Sequence, residues 1–314
     1  MRIQHFYPRS HEIGFLNKYK EHLKNTYSED YNGFERKGPF VYELSQRLDI
    51  TDIIIVTAHG NENGFTADVL RDEVKELNFD ELHIFNNSFV FAFSCSTASL
   101  GKRLCDQLNV ISYIGFDDII DLKVNTGNKE FKTDIGQILQ SIYINTLIHS
   151  FDEFLRNSYT IEELSRLIAF NLKKYHAVVL GMSAEDISRQ FNIPMHITKS
   201  EKFINVIKMD LLTTVHDVSK RIQYHGEGNF IPWKFIEGKN PYRIMELIQK
   251  IEKASFKPKN EYYKHFLLAY MYREIDHYVE AAKNIMKVRE QFQDYVPLSS
   301  IDIPAIKETD ESVS

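Results

Sequence analysis

The sequence predicts an α/β fold, a doubly wound and mostly parallel sheet flanked by helices and followed by a helical C-terminal region. Two observations carry this prediction. Runs that are apolar on both faces, such as IIIV at residues 53–56 and FVFAF at 89–93, are typical of parallel strands covered by helices. Amphipathic segments alternate with these runs, which is the pattern of repeated strand–helix units.

The predicted elements follow one another in chain order. Strands are expected in the opening segment MRIQHFY and at residues 53–56, 89–93 and 110–114. Helices are expected at residues 15–27, 40–48, 67–77, 100–108, 134–156 and 160–175, the last beginning with the capping box TIEE. Ligands of such sheets bind at the carboxyl ends of the strands, so functional residues are sought there.

The end of the chain is predicted to be helical. Helices are expected at residues 241–254 and 262–295, separated by the turn-prone segment KPKN. Small and aromatic residues of a tetratricopeptide unit are matched by Ala269, Tyr272, Ala281 and Ile285, in a single convincing copy. Because one such unit cannot bury its face alone, we expect a helical hairpin packed on the preceding domain.

Composition limits the class of protein. The 314 residues are 43% hydrophobic and 26% charged, which fits one full-sized core with a smaller appendage. The formal net charge of -6 argues against nucleic acid or anionic lipid as a partner. Neither a secretion signal nor a membrane-spanning run of roughly 20 apolar residues is evident, so we expect a cytoplasmic protein without membrane contact. Two cysteines are too few for a disulfide framework.

Two residues that follow predicted strands have the chemistry of a cysteine peptidase. His59 follows the run at 53–56, and Cys95 follows the run at 89–93. If these strands are neighbours, both side chains lie at the same edge of the sheet. A cysteine peptidase needs a thiol nucleophile and a histidine that activates it and then protonates the leaving amine. We therefore predict a catalytic pair of Cys95 and His59.

The two cysteines differ in their surroundings. Most isolated cysteines are small buried hydrophobic residues, and Cys105 fits that role because it shares a predicted helix face with three leucines. Cys95 instead stands in the polar stretch SCSTAS. A single histidine, too, ordinarily has a structural role. The functional interpretation therefore depends on Cys95 and His59 both standing at strand ends.

Gly60, directly after the histidine, is a candidate oxyanion donor. Glycine permits close approach of the backbone or a positive φ, either of which allows its N–H to point into the site. The Cys95 amide would be its partner. Together they would bind the negative oxygen of the tetrahedral intermediate, and each donor of this kind contributes roughly 3 to 4 kcal/mol.

Two acidic residues, Asp117 and Asp118, follow the strand predicted at 110–114. In a right-handed crossover that strand ends at the same edge as Cys95. A carboxylate there can pair with a basic substrate side chain, and Asp117 is favoured because it is nearer to the strand end. The alternative interpretation is a solvated turn or a cap for the following segment.

Three segments resemble caspase-like (clan CD) peptidases of the bacterial CHAT-domain type. TAHGN at 57–61 resembles the strand-end histidine-glycine motif, and FSCSTA at 93–98 resembles the serine-alanine-cysteine-asparagine-threonine-alanine signature. YIGFDD at 113–118 is similar to the strand that ends in glycine and acidic residues. The resemblance covers roughly residues 50–180.

The resemblance implies a caspase-like fold and assigns roles to individual residues. His59 would be the base, Cys95 the nucleophile and Gly60 an oxyanion donor. It also suggests a controlled executioner in bacterial defence, including antiviral defence, or in cell death. Ser94 and Ser96 depart from the family, which often has alanine and asparagine beside the cysteine, and this departure concerns the substrate class more than the chemistry.

Other chemistries lack their motifs. The sequence contains no GxSxG elbow, no phosphate loop and no HExxH, and its histidines are scattered, so we expect no metal and no organic cofactor. A second histidine-glycine dipeptide, His225-Gly226, is not preceded by an apolar strand and is predicted to be a loop. The alternatives to a peptidase are a catalytically inactive caspase-like binding module and a nucleotide- or signal-binding α/β domain.

The chain is therefore predicted to have three parts. Residues 1–200 would form the caspase-like peptidase domain, and residues 201–298 a mixed and then helical region for docking or regulation. Residues 299–314 would be a disordered tail. The expected partners are a protein substrate and an activating or docking protein that binds the C-terminal helices.

Overall fold

A six-stranded sheet lies at the centre of the fold. The computed structural model describes residues 1–48, 50–70, 73–124 and 131–302. In chain order the strands are β1 (Ile3–Phe6), β2 (Tyr31–Phe34), β3 (Ile53–Thr57), β4 (Gly60–Asn61), β5 (Gly64–Leu70), β6 (Glu73–Asn78), β7 (Phe89–Phe93), β8 (Ser112–Phe116) and β9 (Ile222–Gly226). The order across the main sheet is β2-β1-β3-β7-β8-β9, and β4, β5 and β6 form a separate small sheet.

Helices make up most of the remaining described residues. They are α1 (Asn17–Thr26), α2 (Lys37–Ser45), α3 (Ala98–Gln107), α4 (Lys132–Asn157), α5 (Ile161–Leu180), α6 (Ala184–Phe191), α7 (Met195–Thr198), α8 (Glu201–Val206), α9 (Leu212–Lys220), α10 (Pro241–Lys253), α11 (Glu261–Glu274) and α12 (Tyr278–Gln291). The predicted capping box at the start of α5 is present, with the Thr160 hydroxyl accepting from the Glu163 N–H. The architecture is therefore mixed α/β, as expected from the sequence.

Both faces of the main sheet are covered by helices. The β3 residues Ile53 and Ile55 belong to one core cluster together with residues of α1, α4 and α5. Ile54 and Val56, which point to the opposite face, belong to a second cluster with residues of α2 and α3. A strand buried on both faces has no polar positions, which explains the uninterrupted apolar run. The prediction of a mostly parallel sheet flanked by helices is thus confirmed.

Strand direction places the carboxyl ends together. Among the described strands of the main sheet, β1, β2, β3, β7 and β8 are parallel, and β9 runs antiparallel beside β8. The strand predicted at 110–114 is present but shifted to Ser112–Phe116. Its end lies at the same edge as the ends of β3 and β7, as the crossover argument predicted.

The prediction of a helix at residues 67–77 is wrong. Of these residues, 67–70 belong to β5 and 73–77 to β6, two strands that pair antiparallel, and β5 also pairs with β4. The apolar residues of this segment could lie on one face of a helix or on one face of a hairpin, so their spacing alone does not distinguish the two. Phe65, Ala67 and Leu77 are buried in the second core cluster, and this long-range packing decides in favour of strands.

Two further predictions need correction in the C-terminal part. The helix expected at 262–295 is divided into α11 and α12, because Asp276 adopts a left-handed conformation with φ 61° and His277 N–H donates to Tyr272 O at 2.9 Å. His225-Gly226 is not a loop, since both residues lie in β9. Gly226 has φ +85° there, a conformation that other residues rarely adopt.

The region after residue 200 packs on the same sheet, because β9 is hydrogen-bonded along β8. The hairpin of α11 and α12 reaches the amino ends of the strands. Tyr295 hydroxyl and Thr51 Oγ1 are 2.6 Å apart just before β3, and Tyr262 hydroxyl donates to Asn87 Oδ1 at 3.0 Å just before β7. The hairpin therefore lies opposite to the edge that carries His59 and Cys95.

The predicted division of the chain at residue 200 stays a prediction, although the sheet draws strands from both sides of it. Of the predicted tail, residues 303–314 lie outside the described residues. Within the described ranges, we find no helix with the length and apolarity needed to cross a bilayer.

Candidate active site

His59 and Cys95 follow neighbouring strands at the same level of the sheet. β3 and β7 are adjacent and parallel, and their last residues, Thr57 and Phe93, are register partners. His59 and Cys95 each stand two residues beyond this pair. The condition on which the predicted pair depended, that the two strands are neighbours, is therefore met.

The backbone turns sharply immediately after Cys95. Ser96 has φ 53°, a left-handed conformation that is uncommon outside glycine. It is stabilised by two contacts: Ser96 N–H donates to Asp118 O at 3.1 Å, and Thr97 Oγ1 donates to Ser94 O at 3.1 Å. Helix α3 begins with Ala98, so the positive end of its dipole lies within three residues of the thiol.

The thiol of Cys95 is half-buried and engaged by the loop that follows β8. Ile120 N–H donates to Cys95 Sγ at 3.2 Å. Burial raises the pKa of the Cys95 thiol, the Ile120 N–H opposes this, the carboxylates of Asp121 and Asp118 raise the pKa further, and Arg221 lowers it. In this conformation the surroundings favour the protonated thiol.

The imidazole of His59 is held by the loop that follows β1. Its Nε2 hydrogen-bonds with Ser10 Oγ at 3.1 Å and lies 3.4 Å from Glu12 Oε2. The side chain is 37% exposed. Within the described ranges, no hydrogen bond joins His59 to Cys95. The two side chains share an edge, but each is bonded to a different loop.

Gly60 is required by close packing beneath the site. A β-carbon at this position would overlap Ser94 Oγ and lie 2.8 Å from Thr97 Cγ2. Ser94 is 1% exposed, and its hydroxyl has no hydrogen-bond partner among the described residues. Of the two reasons predicted for this glycine, close approach is the one that the structure shows, and the approaching atoms belong to the side chains of Ser94 and Thr97.

The two predicted substrate-binding residues lie at the expected edge and point to different partners. Both are exposed. Asp117 Oδ2 accepts a hydrogen bond from Gln223 Nε2 of β9 at 3.4 Å. Asp118 Oδ1 accepts from Ile119 N–H at 2.7 Å, and its other oxygen lies 3.8 Å from Arg221 Nε. Of the two carboxylates, Asp118 is the one that acts on the Cys95 thiol.

A cavity of about 360 Å³ opens beside His59. Its lining includes Tyr7 and Arg9 after β1, Lys20 of α1, Thr57 at the end of β3, and Ser10, the residue that contacts His59. From β1 the chain crosses to β2 on one side and then to β3 on the other, so this is where the strand order reverses. Such switch points are where open α/β sheets bind ligands.

Sequence reasoning missed four residues around the pair. Ser10 and Glu12 follow the opening strand at the carboxyl edge, so the strand order would have indicated them. Asp121 is the third acid of the segment DDIID. Arg221, which bonds Asp121 Oδ2 at 2.8 Å, precedes β9, a strand that the sequence pattern did not reveal.

The second cysteine has the structural role predicted for it. Cys105 lies on the buried face of α3, is 1% exposed and belongs to the second core cluster. Burial raises the pKa of its thiol to about 12, so it stays protonated. Among the described residues, no group of three His, Cys, Asp or Glu side chains could hold a metal ion.

Comparisons of the chain with models of protein families, with curated proteins and with solved structures found no match. The interpretation of the site therefore depends on its own geometry.

Proposed function

We propose that the protein is a caspase-like cysteine endopeptidase in which Cys95 and His59 form the catalytic pair. The observation that carries the proposal is the register of β3 and β7, which brings a histidine and a partly exposed thiol to the same level of one sheet edge. A buried neutral histidine offers a contrast: His5 is fully covered and bonded by Thr57 and Tyr31, and burial lowers its pKa to about 3. His59 is partly exposed and beside a cavity.

The chemistry proceeds in two steps. His59 takes the thiol proton, and the Cys95 thiolate attacks the carbonyl carbon of the substrate, forming a carbon–sulfur bond. The protonated imidazole then gives its proton to the leaving amine as the peptide bond breaks. Water hydrolyses the acyl-enzyme and restores the thiol. Because Ser10 and Glu12 engage Nε2, we assign the proton transfer to Nδ1.

The different hydrogen-bond partners of His59 and Cys95 are compatible with this role. Hydrogen bonds between catalytic groups are often long or poorly aligned without substrate and tighten in the complex. Glu12 is an orienting group of the kind that fixes a catalytic imidazole.

The ladder around Gly60 supports its N–H as an oxyanion donor. Thr66 N–H donates to His59 O at 2.8 Å, which makes these two residues a hydrogen-bonded pair. Such pairs alternate with non-bonded pairs in an antiparallel ladder, so the next pair, Gly60 and Phe65, is of the second kind. The Gly60 N–H then points away from β5 and can bind a ligand. The Cys95 amide is the proposed second donor.

Labelling with an epoxysuccinyl or iodoacetamide probe tests the pair directly. The wild type should react at pH 7, and His59→Ala should react about a hundredfold more slowly. Burial raises the pKa of the Cys95 thiol, so little thiolate is expected at neutral pH without the histidine, and labelling of the variant should recover as the pH is raised.

A matched control is His216→Ala, which removes an exposed histidine of α9 and should label like the wild type. Equal labelling of the wild type and His59→Ala at every pH would show that the histidine does not activate the thiol. That outcome would favour the alternative of an inactive binding module that has kept the fold.

A preference for arginine or lysine before the cleaved bond is the second expected property. A carboxylate that binds the basic side chain through charge-assisted hydrogen bonds contributes roughly 1.5 to 3 kcal/mol, or about one to two decades of selectivity. Asp117 and Asp118 are the proposed carboxylates. The sequence favours Asp117, but we expect the larger effect from Asp118, because the Asp118 carboxylate is among the charges that act on the Cys95 thiol.

Profiling a peptide library with the wild type, Asp117→Ala and Asp118→Ala checks this preference. The basic preference should weaken in at least one variant. Cleavage after acidic or aliphatic residues, or an unchanged basic preference in both variants, would place the specificity pocket elsewhere.

The C-terminal hairpin is proposed as a docking or regulatory element. One face of α12 packs on α11 through Ala281 and Val288, whereas Val279 and Met286 are exposed on the other face. We propose that an activating or docking protein binds there, and that the enzyme acts in the cytoplasm on a protein substrate, in bacterial defence or cell death.

A further inference from the structure

The loop after β8 is tied to the thiol and to β9 at the same time. We define residues 117–121, with the sequence DDIID, as the acidic loop. Ile120 is buried and donates its N–H to Cys95 Sγ at 3.2 Å. The carbonyl of Asp118 accepts from Ser96 N–H, directly after the cysteine. The conformation of the acidic loop therefore determines what the thiol contacts.

Arg221, directly before β9, makes several contacts with the acidic loop. Its guanidinium donates to Ile119 O and to Asp121 Oδ2, and its Nε lies 3.8 Å from Asp118 Oδ2. Its backbone carbonyl accepts from Asp117 N–H at 2.9 Å. The side chain is 23% exposed, less than either carboxylate it faces. Arg221 thus contacts four of the five residues of the acidic loop.

The titratable groups that face the thiol come from three elements. Asp118 and Asp121 belong to the acidic loop, Arg221 precedes β9, and Tyr143 of α4 donates its hydroxyl to Asp121 O at 2.7 Å. Burial raises the pKa of Tyr143 far above neutral pH, so Tyr143 carries no charge. Glu12, His59 and Asp117 are further titratable groups at this edge. Without Arg221, two unneutralised carboxylates would face a group that must become an anion.

We propose that Arg221 is a positioning residue for Cys95. It holds the acidic loop so that Ile120 N–H donates to the sulfur, and it neutralises Asp118 and Asp121 so that a thiolate can form beside them. Its place in catalysis rests on the proposed peptidase function, whereas its effect on the thiol does not. Arg221 also faces Asp118, one of the two carboxylates proposed to bind a basic substrate side chain, so it competes with substrate for that carboxylate.

The rate of alkylation of Cys95 by iodoacetamide, measured against pH, tests this role. The full chain is used in a Cys105→Ala background so that only Cys95 reacts. In Arg221→Ala, the rate at pH 7 relative to the alkaline plateau should fall about three- to tenfold, because less thiolate is present. Arg221→Lys keeps the charge and should lose less.

A second substitution separates charge from anchoring. Asp121→Asn added to Arg221→Ala should restore most of the lost rate, since it removes an unneutralised carboxylate. Loss of loop anchoring alone would predict no restoration. Asp121→Asn with Arg221 intact should accelerate alkylation at pH 7, and this variant leaves the arginine anchor on Ile119 in place. Arg189→Ala, which breaks an exposed ion pair with Asp186 on α6, is the control and should change nothing.

An unchanged pH profile in both Arg221→Ala and Asp121→Asn would overturn the inference. Alkylation needs only the thiol, so this result is independent of peptidase activity. If the pH profile of alkylation shifts but the chain cleaves no peptide, the role of Arg221 stands and the proposed peptidase function is wrong.

Discussion

Replacement of Cys95 by alanine is expected to abolish proteolysis, and replacement of Cys105 is expected to leave it intact. Only Cys95 lies at a strand end with a partly exposed sulfur. Removing a catalytic nucleophile costs several orders of magnitude in turnover in other hydrolases, so we expect a loss of at least about a thousandfold. Cys105 is buried in the core, and the alanine variant should lose a little stability from the small cavity.

Cleavage of a denatured protein or a peptide library, measured with both variants, checks this expectation. Thermal unfolding of each variant shows that the fold is retained. Equal loss from both substitutions would indicate that the effect is on folding and that the assignment of Cys95 is wrong. Activity retained in Cys95→Ala would exclude thiol chemistry at this edge.

Alanine at Gly60 is expected to give the second largest effect. The added β-carbon would overlap Ser94 Oγ, and Thr97 Cγ2 would be only 2.8 Å away. Both neighbours are buried, so the backbone between His59 and the loop of Cys95 must shift. Overpacking of this kind costs about 1 to 3 kcal/mol of stability. Displacement of a catalytic group by about 1 Å can cost roughly a hundredfold in rate.

Two companion variants distinguish a local from a general effect. Ser94→Ala combined with Gly60→Ala removes one of the two overlapping atoms and should recover part of the activity. Gly38→Ala in α2, where no atom lies within 4 Å of the added carbon, should behave like the wild type. If Gly60→Ala is as active and as stable as Gly38→Ala, the close packing beneath the site has no functional role.

The strands that build the site could be predicted because their signals are local. β3 and β7 are buried on both faces, so every residue of each run is apolar and the pattern can be recognised without knowing the fold. Parallel strands that are consecutive in the pattern tend to be neighbours, which brought His59 and Cys95 to one edge. The capping box of α5 is likewise a signal contained within four residues.

The surroundings of the site could not be predicted, because they depend on distant parts of the chain. β9 is partly exposed and lacks an apolar run, so its position beside β8 is set by tertiary packing alone. Arg221 is 102 residues from Ile119 in the sequence, and it lies beside the acidic loop because β9 pairs with β8. The hairpin of β5 and β6 was mistaken for a helix for a related reason, since burial of Phe65 and Leu77 against the core decides its conformation.

The place of β9 in the sheet also determines when, during synthesis, all residues of the candidate site are present. Chains emerge from the ribosome at roughly 5 to 20 residues per second, so Cys95 emerges several seconds before Arg221 and β9 can join it. The contact of Thr51 with Tyr295 spans 244 positions and forms later still. The nascent chain therefore carries its thiol without the arginine that neutralises its surroundings, and the site is completed only when most of the chain has been made.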